Sequence, residues 1–179
     1  MRWFLLSVVA TVFLCPSADA RLPRQTALED IVRLLKVKEE ITPEEARNAA
    51  GSDGLSALIT VATDGRFDVA LRAKACLSLG YFQGDGAKKV LSNVYGNEKE
   101  PLEVRASALV GYARHERDKA LLDLKLYLQD AKPEMRIAAA RGLREVGGEE
   151  ARQMLVSALQ NEEVLEVRSV MDKVLQEMR

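Results

Sequence analysis

Aromatic residues make up only 5% of this 179-residue chain, and histidine occurs once. Few aromatics, with modest glycine and proline, argue against a sandwich of strands and favour helices. The 26 basic residues are matched by 27 acidic ones. No basic excess points to nucleic acid or to an anionic membrane. Reactive motifs are missing as well. The chain has no G-x-x-x-x-G-K-[ST] phosphate loop, no G-x-S-x-G elbow, no D-x-D-x-D-G calcium loop and no N-x-S/T acceptor. The longest apolar run, "FLLSVVATVFL", falls short of the about 20 residues that span a bilayer.

That run has another reading. Arg2 gives a small positive start, the run is of signal-peptide length, and "CPSADA" ends in a small-x-small site at Ala18-Asp19-Ala20. Residues 1–20 therefore read as a secretory leader cleaved after Ala20, residues 21–41 as an N-terminal capping helix, and residues 42–179 as a repeat array. A lipoprotein leader at Cys15 wants a small residue before the cysteine, and Leu14 stands there. Cleavage leaves Cys76 as the sole cysteine, so no intrachain disulfide is possible, and no membrane insertion is expected afterwards. Such a chain holds together by burial. Its 47% hydrophobic and 30% charged content suits a folded domain.

What is present is a repeat. Arg72, Arg105, Arg136 and Arg168 are spaced by 33, 31 and 32 residues. Three positions after the first three arginines come Ala75, Ala108 and Ala139; seven after come Leu79, Tyr112 and Leu143. Fifteen after come Ala87, Ala120 and Ala151; nineteen after come Leu91, Leu124 and Leu155; twenty-five after come Asn97, Asp130 and Asn161. Each unit reads as two helices. The first is rich in alanine, so its neighbours can approach closely. A break follows at "GDG", "RHERD" or "VGGE". Pro101 and Pro133 suit a first helical turn. Upstream, Thr42, Pro43 and Glu45 spell a capping box, and Thr26 with Glu29 a second one. Leu28, Ile31, Val32 and Leu35 make one apolar helical face. The last unit stops after one helix, as a terminal repeat with one wetted face would.

This pattern resembles the HEAT repeat family, in particular the short bacterial PBS-lyase-type repeats, over residues 42–179. The resemblance implies an all-α, right-handed α-α superhelix of antiparallel helix pairs. It also implies a ladder in which an acidic or amide side chain meets the following arginine: Asp64 with Arg72, Asn97 with Arg105, Asp130 with Arg136, and Asn161 with Arg168. An exported scaffold or adaptor, periplasmic or secreted, is the function expected. The alternative is a HEAT-like enzyme or enzyme subunit, similar to bilin lyases or to metal-dependent hydroxylases.

The residues that carry chemistry are few. The "RHE" at Arg114-His115-Glu116 resembles one His-Glu pair of the iron-binding deoxyhypusine hydroxylases, which use several such pairs; a lone pair falls short of about four ligands. Cys76 has the apolar counterparts Leu109 and Ala140, so it reads as a small buried hydrophobe. "GDGAKK" reads as a tight turn rather than an anion site. No cofactor is implied.

One segment breaks the amphipathic rule. "KALLDLKLYLQD", residues 119–130, carries Leu121, Leu122 and Leu126 beyond the repeat core. In HEAT-like solenoids the second helices are expected to line the concave face. Leu122 and Leu126, framed by Lys88, Lys89, Lys125, Arg152 and Gln153, are thus the expected docking surface for a protein or peptide. The competing reading buries these leucines between repeats.

Overall fold

The twelve alanine, leucine and tyrosine positions named by the repeat register are all buried in the computed structural model, which describes residues 24–178. The leader expected at residues 1–20 lies outside the described residues. Within them are ten α-helices and no strand. They are α1 (Gln25–Val37), α2 (Pro43–Ala50), α3 (Gly54–Thr63), α4 (Val69–Leu79), α5 (Asp85–Gly96), α6 (Leu102–Glu116), α7 (Leu121–Tyr127), α8 (Pro133–Val146), α9 (Gly148–Asn161) and α10 (Leu165–Glu177). The architecture is an α-α superhelix of packed helix pairs.

Local signals set several boundaries. Thr42 Oγ1 accepts from the Glu45 amide at 3.3 Å, and Glu45 Oε2 accepts from the Thr42 amide at 2.9 Å, a complete capping box. Thr42 and Lys38 pull the Glu45 carboxyl down, Lys38 most strongly, to about 2. The box expected at Thr26 does not form. Helix α1 starts two residues earlier than a Thr26 cap would set it, at Gln25, where Arg24 Nε reaches Asp53 Oδ2 at 2.9 Å and anchors the chain. Pro133 opens α8 as expected, whereas Pro101 stands just ahead of α6 as its cap.

The helix expected over residues 119–130 is shorter. Helix α6 runs on to Glu116, Arg117 turns through a left-handed φ of 54°, and Arg117–Ala120 form a 3-10 turn. Only Leu121–Tyr127 remain for α7.

The helices form two layers. The first helices of the units, α4, α6, α8 and α10, pack side by side in one layer. Their backbones come close because glycine allows it: a Cβ on Gly80 would sit 2.6 Å from the Gly111 carbonyl oxygen, and one on Gly111 would press into the Cys76 carbonyl oxygen. The second helices, α3, α5, α7 and α9, diverge from one another. Tyr95 packs edge-on against Tyr112 and Tyr127, with ring centroids 5.1 and 5.6 Å apart, and fills the wedge between α5 and α7. At the register position of Tyr127 the next unit has Ala158. A hollow of about 640 Å³ opens there between α7 and α9. A stack whose members touch on one side and splay on the other bends towards the touching side. The first-helix layer is therefore the concave one, which corrects the expectation that the second helices line it.

Candidate partner-binding surface

The four repeating arginines do latch the units, but not through the ladder expected from the resemblance. Arg72 Nε donates to the Ala62 carbonyl at 3.2 Å, and Arg105 Nε to the Tyr95 carbonyl at 3.0 Å. Arg136 Nη1 donates to the Asp130 carbonyl at 2.9 Å, and Arg168 Nη1 to the Glu162 carbonyl at 2.8 Å. Arg72, Arg105 and Arg168 thus cap carbonyls at the C-terminal end of the preceding helix, which lack partners within it and carry the negative end of its dipole, whereas Arg136 caps carbonyls of the turn that follows α7. Two latches continue into the following turn: Arg72 Nη2 meets Glu100 Oε2 at 2.5 Å, and Arg136 grips both oxygens of buried Glu162 at 2.6 and 2.9 Å.

The Asp and Asn side chains serve their own turns instead. Asp64, Asn97 and Asp130 each accept the amide two residues on, at 3.0, 3.1 and 2.8 Å. Asp64 is also gripped by Arg66, which with that amide holds its carboxyl down at about 2. Asn161 instead donates to the Ser157 carbonyl, and Glu162 takes the turn role by accepting the Val164 amide at 2.9 Å.

The residues weighed for chemistry are held structurally. His115 Nδ1 lies 3.0 Å from Glu116 Oε1, and Nε2 lies 3.2 Å from the Gly84 carbonyl. Lys88 closes the same turn on Glu116 Oε2 at 2.7 Å and pulls that carboxyl below its ordinary range. Cys76 is fully buried, and burial pushes its thiol up to about 12. Among the described residues no group of three or more His, Cys, Asp or Glu side chains is placed to hold a metal ion.

The leucines of α7 part company. Leu121 is half-buried against the core, whereas Leu122 is 82% and Leu126 68% exposed. Lys125 and Gln153 both line the hollow between α7 and α9. Lys88 is committed to Glu116, and Gln153 Nε2 to Glu149 at 3.0 Å. Lys89 is exposed and Arg152 half-exposed. All seven residues belong to the second-helix layer, and none lines the concave groove.

That groove, about 840 Å³, is lined by all four first helices. Its floor is apolar: Leu77, Ala106, Val110, Ile137 and Val170. One edge is a closed charge network. Arg114, buried, binds Glu40 at 3.1 Å, Glu145 at 2.9 Å and the Leu77 carbonyl at 3.0 Å, and its guanidinium lies 4.1 Å from the Tyr81 ring centroid. Arg144 carries the chain on from Glu145 to Glu177, the latter at 2.6 Å. Burial works against both charges, yet Arg114 keeps Glu145 below its ordinary range, and Glu145 and Glu40 keep Arg114 above its own. The network ties the segment after α1 to α6, α8 and α10. Residues 97–176 match the family of HEAT repeats. The unit of Arg72 lies outside that match and makes the same kind of carbonyl latch. HEAT repeats commonly mediate protein binding. A comparison with curated proteins finds no match. No helix among the described residues is long and apolar enough to cross a membrane.

Sequence reasoning missed the groove. The signal was in the register it used. Two positions before the anchors stand Ala70, Glu103, Glu134 and Glu166; five after them stand Leu77, Val110, Arg141 and Lys173.

Proposed function

We propose that this chain is an exported, non-enzymatic HEAT-repeat scaffold that holds a protein or peptide in its concave groove. The observation that carries the reading is the groove itself: an apolar floor across four helices, with exposed charged side chains at its rim. Apolar surface of this kind, fenced by polar groups, is where partners dock. A rigid floor helps, because little ordering entropy remains to be lost on binding. The network from Arg114 through Glu145 and Arg144 to Glu177 ties α6, α8 and α10 together along one edge of the groove. Export is supported by the leader pattern of residues 1–20, and N-terminal sequencing of the chain from an envelope fraction tests it: a start at Arg21 is expected, and a retained Met1 overturns it.

Crosslinking and co-purification of the chain from its native envelope test the groove. Ala106→Arg fills the floor while removing no packing, and should lose the partner. Leu122→Glu, on the opposite layer, should keep it. A partner lost only with Leu122→Glu moves the site to the second-helix layer. If no partner is enriched, metal analysis of the purified chain becomes the next measurement, since bound iron would favour the enzyme reading.

A further inference from the structure

Resting on that groove reading, we infer that the occupant is an amphipathic α-helix, about 16–20 residues long, whose apolar stripe is flanked by basic residues on one side and acidic residues on the other. The argument comes from the rows that the repeat register lays across the concave face. The first helices run parallel, so equivalent positions line up along the groove. The row two before the anchors begins at Ala70 and is acidic in the three units that follow: Glu103 and Glu134 line the groove, and Glu166 holds the same register. The row five after the anchors is apolar at Leu77 and Val110 and basic at Arg141 and Lys173. Between the rows runs the floor of Ala106, Ile137 and Val170. Glu103, Glu134, Arg141 and Lys173 are exposed and form no ion pair among the described residues. This sets them apart from the neighbouring charge network, whose members satisfy one another.

The dimensions select the occupant. The rows are seven residues apart on each helix, about 10 Å at 1.5 Å per residue, which matches the 10–12 Å diameter of an α-helix. An extended strand would leave one row unmet. Four first helices at spacings of roughly 8–10 Å give a groove about 25–30 Å long, the length of about 16–20 helical residues. A helix laid along it with its stripe down puts one flank against Glu103 and Glu134 and the other against Arg141 and Lys173. Complementarity across both flanks sets partner choice and orientation more than raw affinity.

Three 18-residue peptides with the same leucine stripe test this by fluorescence anisotropy on the purified chain at low salt. One has lysine on one flank and glutamate on the other, one has lysine on both, and one has glutamate on both. The mixed peptide should bind roughly tenfold tighter than either other, a sum of modest exposed charge pairs. The Glu103→Lys/Glu134→Lys variant should switch preference to the all-glutamate peptide, and the Arg141→Glu/Lys173→Glu variant to the all-lysine one. The gains should shrink as salt rises, and bound peptide should gain helical circular dichroism. Equal binding of all three, abolished by Ala106→Arg, leaves the groove as a docking site but overturns the charge-flanked helix. Binding without gain of helicity overturns the helical occupant. Binding of none, while Ala106→Arg still loses the native partner, keeps the scaffold reading and overturns this one.

Discussion

The two layers of this superhelix share one repeat and differ in how close their members come. In the first-helix layer, Gly80 and Gly111 let α4 and α6 nearly touch, and ion pairs of Arg114 and Arg144 cross-link α6, α8 and α10. In the second-helix layer, the wedge between α5 and α7 needs three tyrosines to fill it, and the one between α7 and α9 stays open. Closeness therefore creates the concave groove, and divergence creates the pocketed outer side. The arginine latches sit at the joint between the layers, where a first helix donates to carbonyls at or just past the end of the second helix before it.

The largest expected effect of removing a polar contact lies at that joint. Arg136→Ala removes the cap on the Asp130 carbonyl and strands the buried Glu162 carboxylate. A loss of about 2–3 kcal/mol is expected in denaturant unfolding, since bonds to charged groups are the costly ones to break. Arg105→Ala strands only the Tyr95 carbonyl among its side-chain bonds, and should cost less, about 1–2 kcal/mol. The pair is also readable by pH. Arg136 holds Glu162 below its ordinary 4.5. Its contribution is thus full above the unfolded value and fades as pH falls through the lowered folded one. Glu162→Gln should flatten that acid limb of the stability profile. An unchanged limb would mean that the pair contributes nothing to folding.

A smaller effect separates the layers themselves. Gly111→Ala forces a methyl into the Cys76 carbonyl, in the layer without slack, and should destabilise by about 1–3 kcal/mol. Gly96→Ala, on second helix α5, meets nothing within 4 Å. It should stabilise by roughly 0.4–1 kcal/mol through reduced backbone freedom in the unfolded chain. Opposite signs in thermal unfolding support the contrast. Equal losses would mean that both layers are equally tight.

Periodicity made the stacking legible. A residue that recurs at a fixed offset in every unit faces the same neighbour every time, so Ala75, Leu91 and their counterparts announced the core. The ladder was misread because sequence names side chains and not carbonyls. An Asp or Asn before each arginine looks like its acceptor, while the actual acceptors, the backbone oxygens of Ala62 and Tyr95, leave no letter behind. The groove was missed for a related reason. Leucines that break the pattern stand out in the sequence, whereas the concave face is built by positions that keep it and change character gradually, from Leu77 and Val110 to Arg141 and Lys173. Burial decided Leu121, Leu122 and Leu126, which no spacing rule distinguished.

The smallest effect belongs to the outer layer. Leu122 is 82% exposed on the short helix α7, so it holds little of its surface away from water and touches little that a substitution would unpack. Leu122→Glu should move stability by no more than about 0.5 kcal/mol, the range of surface changes away from special features. The buried anchor of the same helix is Leu124, fully enclosed against α8 and Gly142. Leu124→Ala should cost about 2–5 kcal/mol. Thermal unfolding of the two variants side by side decides whether α7 is held by one face. Comparable losses would place Leu122 in the core and fold the outer layer back into the inner one.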